Sequence, residues 1–400
     1  MKIAIICHFT HKEIQERIKP IKPVKEFAPW VKYLVDEFQN YPDHEYYVIS
    51  PHEWLSKDKS FQIGNVHFYF FKWGMPIIGR HWPGKINLDF FTHYFINKMK
   101  VRNYISKLKP DVINLIGAEN PYYSSTIFQF KSLYPVIVTI QGFYRRFTPS
   151  NKLNNFEKFR YDTEYRILTE FREFVIQTEE TEQYLRGINQ IARFHQVTFP
   201  IQFSQYEIEP VEKKYDFVFF ARVAKDKGIF DYLDAIKELQ IKNKQVKAMI
   251  IGPCSKKMSA WIASFVKSNS LEDNIAHVGF IETQIELFKK VKEARISVLP
   301  TYNDIISGTV IESMFLGIPV ITYRTGSIPE VNVVRENIII CDQGNKSELI
   351  ITMGRLLNNK DRRSELSANG RDWAIRRFNN EKSMNDYFNA LKETIRESSQ

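Results

Sequence analysis

The chain alternates between short β-branched or aromatic runs and longer amphipathic stretches along most of its length. In the first half the short runs are KIAIICHF, EYYVIS, DVINLIG, PVIVTIQ and EFVIQT; in the second they are YDFVFFA, VKAMIIG, IAHVGF, ISVLP, PVITY and NIIIC. Strands that are apolar on both faces must be covered on both, and the intervening helical stretches supply the cover. The pattern therefore predicts parallel sheets layered with helices, the α/β class. The alternation breaks at FPIQFSQYEIEPVEKKYD, between Phe199 and Asp216, where two prolines and a charged, weakly periodic run predict a linker. The expected division is a first domain over 1–203 and a second over 204–380. Each is a doubly wound sheet that binds ligands outside the C-terminal ends of its strands. The tail over 381–400 reads as an amphipathic helix that packs back toward the first domain.

One stretch raises a chemical question. Between Tyr302 and Val331, in YNDIISGTVIESMFLGIPVITYRTGSIPEV, apolar Val310, Ile311, Met314 and Phe315 predict a short buried helix that Gly317 can end. Its start gathers Ser307, Gly308 and Thr309 with two carboxylates, Asp304 and Glu312. Two readings of that start stand side by side. In one, Thr309 and Glu312 form a capping box, each side chain bonding the other's backbone amide. In the other, the small residues let an anion reach the free N–H groups and positive dipole end of the helix.

Composition narrows the class. Four hundred residues suit two or three domains, and 44% apolar with 26% charged residues is ordinary for a globular chain. The sequence has neither a membrane-span-length apolar run nor a signal-peptide pattern, so residence in the cytoplasm is expected. Cys7, Cys254 and Cys341 form no C-x-x-C pair and read as buried thiols. His8 and His11 lack a third ligand, so no metal is expected. The net charge of +10 fits a polyanionic partner: nucleic acid, an acidic membrane surface or a phosphate-bearing substrate. Scattered basic residues and the lack of a zinc-finger, RNP or helix-turn-helix signature speak against nucleic acid. An aromatic, partly basic section, FYFFKWGMPIIGRHWPGKINLDFFTHYF, reads either as core or as a loop that meets a membrane surface or lipid-linked substrate.

In FARVAKDKGIFDYLDAIKEL, Arg222 follows a strand and Lys227-Gly228 precedes a helix, which supplies a second anion-binding element. Taken in order, ARVAKDKG, AMIIGP, IAHVGFI, ARISVLPTYND, SGTVIESMFLGIPVITYRTGSIPEV and RRFNNEKSMNDYFNALKE resemble the retaining GT-B glycosyltransferases of family 4, the glycosyl transferases group 1. The likeness covers nearly all of the second half. It is thinner in the first, where it rests on KPDVINLIGAENPYY and YPVIVTIQGFYRRF. The resemblance implies two Rossmann-like domains facing each other across a cleft, a nucleotide-diphosphate sugar as co-substrate, no cofactor, and a glycan or lipid-linked saccharide acceptor. Surface polysaccharide synthesis and a peripheral contact with the inner face of the cell membrane are implied as well.

Carried over residue by residue, the resemblance has Arg222 and Lys227 hold the donor diphosphate and Glu312 bond the ribose. The backbone near Ser307, Gly308 and Thr309 would meet phosphate. Asp304 stands where the family usually has a glutamate, and Gln141 where it often has a histidine near the donor sugar. A glutamine exchanges no proton near neutral pH, which puts a general-base role there in doubt. Glu119 and Asn120, after a predicted strand, would lie on the acceptor side; their other reading is a turn before Pro121. The chain has no D-x-D motif, so the resemblance implies a metal-independent transferase. An epimerase or phosphorylase on the same architecture, or a degenerate nucleotide-sugar-binding subunit, are the alternatives. A nicotinamide enzyme is disfavoured because no G-x-G-x-x-G follows the first strand.

Overall fold

The computed structural model describes residues 1–22, 24, 26–73, 88–242, 245–305 and 307–398. The part of the aromatic section over 74–87 lies outside the described residues. The chain divides into two compact units, Met1–Ile201 with Phe378–Gln400, and Gln202–Arg377.

In the first unit, β1 (Lys2–Ile6), β2 (Glu45–His52), β3 (Lys59–Ile63), β4 (Val66–Lys72), β5 (Val112–Ile116), β6 (Val136–Thr139), β7 (Glu173–Ile176) and β8 (Arg193–Gln196) form one sheet. Its order is β3-β4-β2-β1-β5-β6-β7-β8. All neighbours are parallel except the β3–β4 hairpin. The central strands β1, β5 and β6 are buried throughout or nearly so, as their continuous apolar runs require. The helix Asn380–Ser398 closes one face of this sheet with Met384, Tyr387, Phe388 and Leu391. A buried chain of hydrogen bonds ties it down: Asn114 Nδ2 donates to Tyr387 Oη at 2.9 Å, and Thr139 Oγ1 to Asn114 Oδ1 at 2.8 Å. Each of these three buried side chains thereby has a partner that offsets the cost of its desolvation.

The second unit holds β9 (Tyr215–Phe220), β10 (Ala248–Ile251), β11 (Ile275–Gly279), β12 (Ala294–Leu299), β13 (Val320–Tyr323) and β14 (Ile339–Cys341), all parallel, in the order β11-β10-β9-β12-β13-β14. Counted from β9, this is the 3-2-1-4-5-6 order of a doubly wound sheet, which reverses direction between β9 and β12. The expected linker is no free tether. Phe203 and Tyr206 lie against Phe315, with ring centroids 5.9 and 4.7 Å away, and Tyr206 also stacks on Phe288 at 5.0 Å. Both linker rings are half-buried by these contacts.

Residues 68–73 of the aromatic section are core: Phe68, Phe70, Phe71 and Trp73 are buried on β4 and its exit. Of the thiols, Cys7 and Cys341 are buried, and burial pushes the Cys7 thiol far up; Cys254 is only half-buried. No described helix is long and apolar enough to cross a membrane.

Candidate functional site

In a doubly wound sheet, the loops leaving the two strands at the reversal point diverge and leave a crevice. In the second unit these are the loops after β9 and β12. The first runs from Ala221 through Arg222 into a short 3₁₀ turn, Lys225–Lys227, and then through Gly228 to the helix Ile229–Lys242. Gly228 has φ +79°, and a Cβ there would sit 2.0 Å from Pro300 O, so only glycine lets the β9 loop lie directly on the β12 loop. A backbone bond from Tyr302 N to Asp226 O, 2.9 Å, joins the two loops.

This contact brings together residues 77 apart in the chain. Lys227 Nζ donates to Asp304 Oδ1 at 2.6 Å and to Asn303 O at 3.2 Å, while Thr301 Oγ1 donates to Asp304 Oδ2 at 2.9 Å. The ammonium has three N–H groups. Among the described residues two are engaged, which leaves one for an incoming oxygen. Arg222 is exposed and forms an ion pair with Asp226. An open pocket of about 420 Å³ adjoins the pair, lined by Lys225, Asp226, Gly228, Phe230, Asp231, Tyr302 and Asn303. At its base, nearly buried Asp231 accepts from Tyr302 and Tyr323 and pairs with Lys346 Nζ at 3.2 Å.

The helix Gly308–Phe315 buries Val310, Met314 and Phe315, and Ser313 Oγ donates to Ser297 Oγ on β12 at 3.0 Å. It ends where Gly317 turns to φ +65°. Its start corrects the capping-box reading. Ser307 is the N-cap and makes no side-chain cap bond; Thr309 is already helical, and its hydroxyl lies 3.4 Å from Ser307 Oγ. Among the described residues, the amides of Gly308 and Thr309 have no acceptor, and nothing approaches within 4 Å of the place a Cβ would occupy on Gly308. One turn on, the Glu312 carboxyl makes no hydrogen bond or ion pair among the described residues. It retains some exposed surface but lies deep enough that burial pushes its pKa up to about 7.

The first unit places its candidates on its own reversal point, after β1 and β5, and on the next strand, β6. Glu119 follows β5, and Gln141 follows β6. Glu119 Oε2 and Gln141 Nε2 are both buried with no hydrogen-bond partner among the described residues, and Asn120 Nδ2 reaches Glu119 Oε1 only at 3.4 Å. Burial raises the Glu119 carboxyl to about 7, and the Glu164 carboxylate adds to the rise while Arg160 opposes it. A buried acceptor or donor left without a partner costs about 1–3 kcal/mol, so these two atoms at strand ends are candidate ligand contacts.

Three more residues belong to this region, and of these the sequence singled out only His8, as half of an incomplete metal pair. His8 leaves β1 and meets the Tyr122 hydroxyl at 2.6 Å. Arg160 Nε donates to Glu119 O at 2.6 Å. Glu164, fully buried, accepts from the amides of Tyr144 and Arg145 at 2.7 and 2.8 Å. For Glu164 a signal existed: it falls on the same helical stripe as Ile167 and Leu168, where a charge is out of place unless it is bonded.

Residues 201–373 match the family model for glycosyl transferases group 1. That range covers nearly all of the second unit. The capsular polysaccharide biosynthesis glycosyltransferase CapM of Staphylococcus aureus is 25% identical over 192 residues, 45% of this chain and 49% of CapM. The chain thus spans about half the length of this curated relative. Sucrose-phosphate synthase from Thermosynechococcus elongatus superposes with a TM-score of 0.76 at 15% identity, over 98% of this chain and 99% of that one. HepE of Anabaena, solved in complex with UDP, superposes with a TM-score of 0.69 at 12% identity, over 98% and 100%. These likenesses show the fold, and the architecture is GT-B.

Proposed function

We propose that the chain is a retaining, family 4 glycosyltransferase that moves a sugar from a nucleotide-diphosphate sugar to a glycan or lipid-linked saccharide. Its place would be surface polysaccharide synthesis on the cytoplasmic side of the membrane. The observation that carries this reading is the second unit's reversal point, where the Lys227 ammonium and an open helix start with unclaimed amides lie on neighbouring loops. Both attract a diphosphate, and Glu312 stands one turn in to accept from ribose hydroxyls.

In the reaction, the bond between the sugar C1 and the diphosphate oxygen breaks while the acceptor oxygen bonds to C1 on the same face. The acceptor proton passes to the leaving phosphate. Negative charge grows on the diphosphate, and this reading assigns its stabilisation to Lys227, Arg222 and the amides near Gly308 and Thr309, with no metal or cofactor. Gln141 and Asp304 would touch the donor sugar, and Glu119 and Asn120 the acceptor. A carboxyl with a pKa of about 7, such as that of Glu119, exists in both forms near neutrality and can either give or accept a hydrogen bond with a hydroxyl.

A thermal-shift panel of UDP, GDP, ADP and their sugars tests the reading. A true ligand at about 100 times its Kd adds about 2.7 kcal/mol of stability, and one nucleotide should stand out from the rest. If none stabilises the protein, the second unit binds no nucleotide sugar and the proposal fails. Gln141→Ala and Asp304→Ala should each reduce transfer yet leave affinity for the bare nucleoside diphosphate nearly unchanged. Equal loss of both would move these residues off the sugar and onto the nucleotide.

A further inference from the structure

In the β12 loop, Thr301 and Asp304 bond each other, and Asp304 and the Asn303 carbonyl accept from Lys227. Tyr302 makes none of these contacts. Its side chain runs the other way, and its hydroxyl donates to Asp231 Oδ2. Asp231 stands in the first turn of the helix Ile229–Lys242, which Lys227 and Gly228 lead into, and it is only 5% exposed. The helix dipole favours a carboxylate at that end. Two further groups hold it: the hydroxyl of Tyr323 on β13 donates at 2.9 Å, and Lys346 Nζ lies 3.2 Å away. The backbone of Tyr302 is fixed as well. Its N donates to Asp226 O at 2.9 Å, and its O accepts from Gln343 Nε2 at 2.9 Å and Thr325 Oγ1 at 3.2 Å. One residue therefore joins the β12 loop to the loops after β9, β13 and β14 and, through Asp231, to the helix that begins beside Lys227.

We infer that Tyr302 is a positioning residue: with Asp231 it staples the β12 loop to the helix after Lys227 and so sets where the Lys227 ammonium stands. A lysine side chain is free to take many rotamers, and ordering it costs entropy. Both acceptors that order this one, Asn303 O and Asp304, belong to the two residues that follow Tyr302, so a shift of the loop moves them together and the ammonium follows. In a low-dielectric setting such as that of Asp231, a satisfied hydrogen bond is strong enough to hold the loop in one place. A catalytic group displaced by about 1 Å can cost about 10²-fold in rate, which makes the staple matter to turnover. The inference rests on the proposed part of Lys227 in stabilising the leaving diphosphate, but the placement of the ammonium is readable without any transfer.

Tyr302→Phe in the full chain provides the test, since it keeps the ring and the backbone bonds and removes the bond to Asp231. Brief acetylation with acetic anhydride, read residue by residue by tandem mass spectrometry, should modify Lys227 several-fold faster in this variant than in wild type, with exposed Lys225 unchanged as the internal reference. In transfer assays the variant should lose about 10-fold in kcat while donor affinity changes less than about twofold. Added to Lys227→Ala, Tyr302→Phe should cost nothing further, because the group it places is gone. Asp231→Asn leaves an acceptor for the hydroxyl and should lose much less than Asp231→Ala. Tyr323→Phe takes a like hydroxyl from the same carboxylate, but from a strand and not from the loop. It should lower the melting temperature as Tyr302→Phe does and leave kcat and Lys227 acetylation at wild-type values. Unchanged acetylation of Lys227 in Tyr302→Phe overturns the inference whatever the activity. So does a full multiplicative loss when Tyr302→Phe is added to Lys227→Ala, or a Tyr323→Phe variant that loses as much kcat, since either makes the cluster a support of the fold alone. Faster acetylation of Lys227 in a protein that transfers from no nucleotide sugar would keep the staple and remove the proposed reaction.

Discussion

Replacing Lys227 by alanine is expected to lower kcat by about 10²–10³-fold while changing donor affinity much less. The charge on the diphosphate is larger at the transition state than in the bound donor, so a cation aimed at it favours the former. The structure adds a refinement. Lys227 is tied to Asp304 and the Asn303 carbonyl before any donor arrives, so it is already positioned and loses little freedom when phosphate binds. Removing it also leaves the Asp304 carboxylate without its counter-ion, and Lys227→Ala with Asp304→Ala should therefore lose less than the sum of the single losses. Arg222→Lys should not restore full activity, because an ammonium cannot reproduce the guanidinium fork on phosphate oxygens. Steady-state kinetics in excess EDTA checks the rest of the account. If activity depends strictly on Mg²⁺ or Mn²⁺ while Lys227 and Arg222 are dispensable, a metal and not these cations neutralises the leaving group.

Glu312→Gln is expected to weaken nucleotide binding about 10-fold and at the same time to stabilise the empty protein above neutral pH. Hydrogen bonds to a charged acceptor contribute about 1.5–3 kcal/mol, and the glutamine amide recovers only part of that. The stability effect follows from the raised pKa. Folding favours protonated Glu312, so below about pH 4.5, where folded and unfolded chains are both protonated, burial carries no charge penalty. The penalty grows as pH rises and is complete above about 7, where it reaches roughly 3 kcal/mol. Glutamine never ionises, so the variant should exceed wild type in stability by up to that amount at alkaline pH, with the gap closing in acid. Nucleotide binding should show the opposite sign. A ribose that donates to the carboxylate favours its ionised form, so wild-type affinity should rise between about pH 6 and 8 while that of Glu312→Gln stays flat. Isothermal titration and urea melts over this range measure both. Unchanged affinity with no pH-dependent gap would remove Glu312 from the site.

A carboxyl whose ionisation is opposed by burial and which has no partner among the described residues is the kind of local inconsistency a sequence retains for function. Thr309 and Glu312 have capping-box spacing, but local spacing cannot say where the helix begins. That is set by Val310, Met314 and Phe315 packing inward and by Ser313 bonding Ser297, contacts that start the helix at Gly308 and carry Thr309 past the cap position. With the cap bond lost, the carboxyl is left for another partner.

The parallel strands at the centre of both sheets were legible because strands buried on both faces must be apolar at every position, and that leaves an uninterrupted run in the sequence. The chain's own pattern likewise marked the short helix after β12, the break near Phe199 and the final amphipathic helix. The hairpin strands β3 and β4 and the edge strand β8 escaped: KSFQI is half exposed along its length, VHFYFFK alternates buried with half-buried positions over most of its length, and RFHQ is mostly polar, so none leaves an uninterrupted buried run. Residue types at the candidate site could be picked from the sequence, since cations and carboxylates beside glycine at strand ends suggest phosphate chemistry. Their partners were not. Lys227 meets Asp304 because the strand order places β9 beside β12, and Glu119 and Gln141 leave neighbouring strands because β5 pairs with β6. Strand order is a property of how helices cross over a sheet, which no local window of sequence records. Burial, which raises Glu119 and Glu312 to a pKa of about 7, exists only once the surrounding layers have closed.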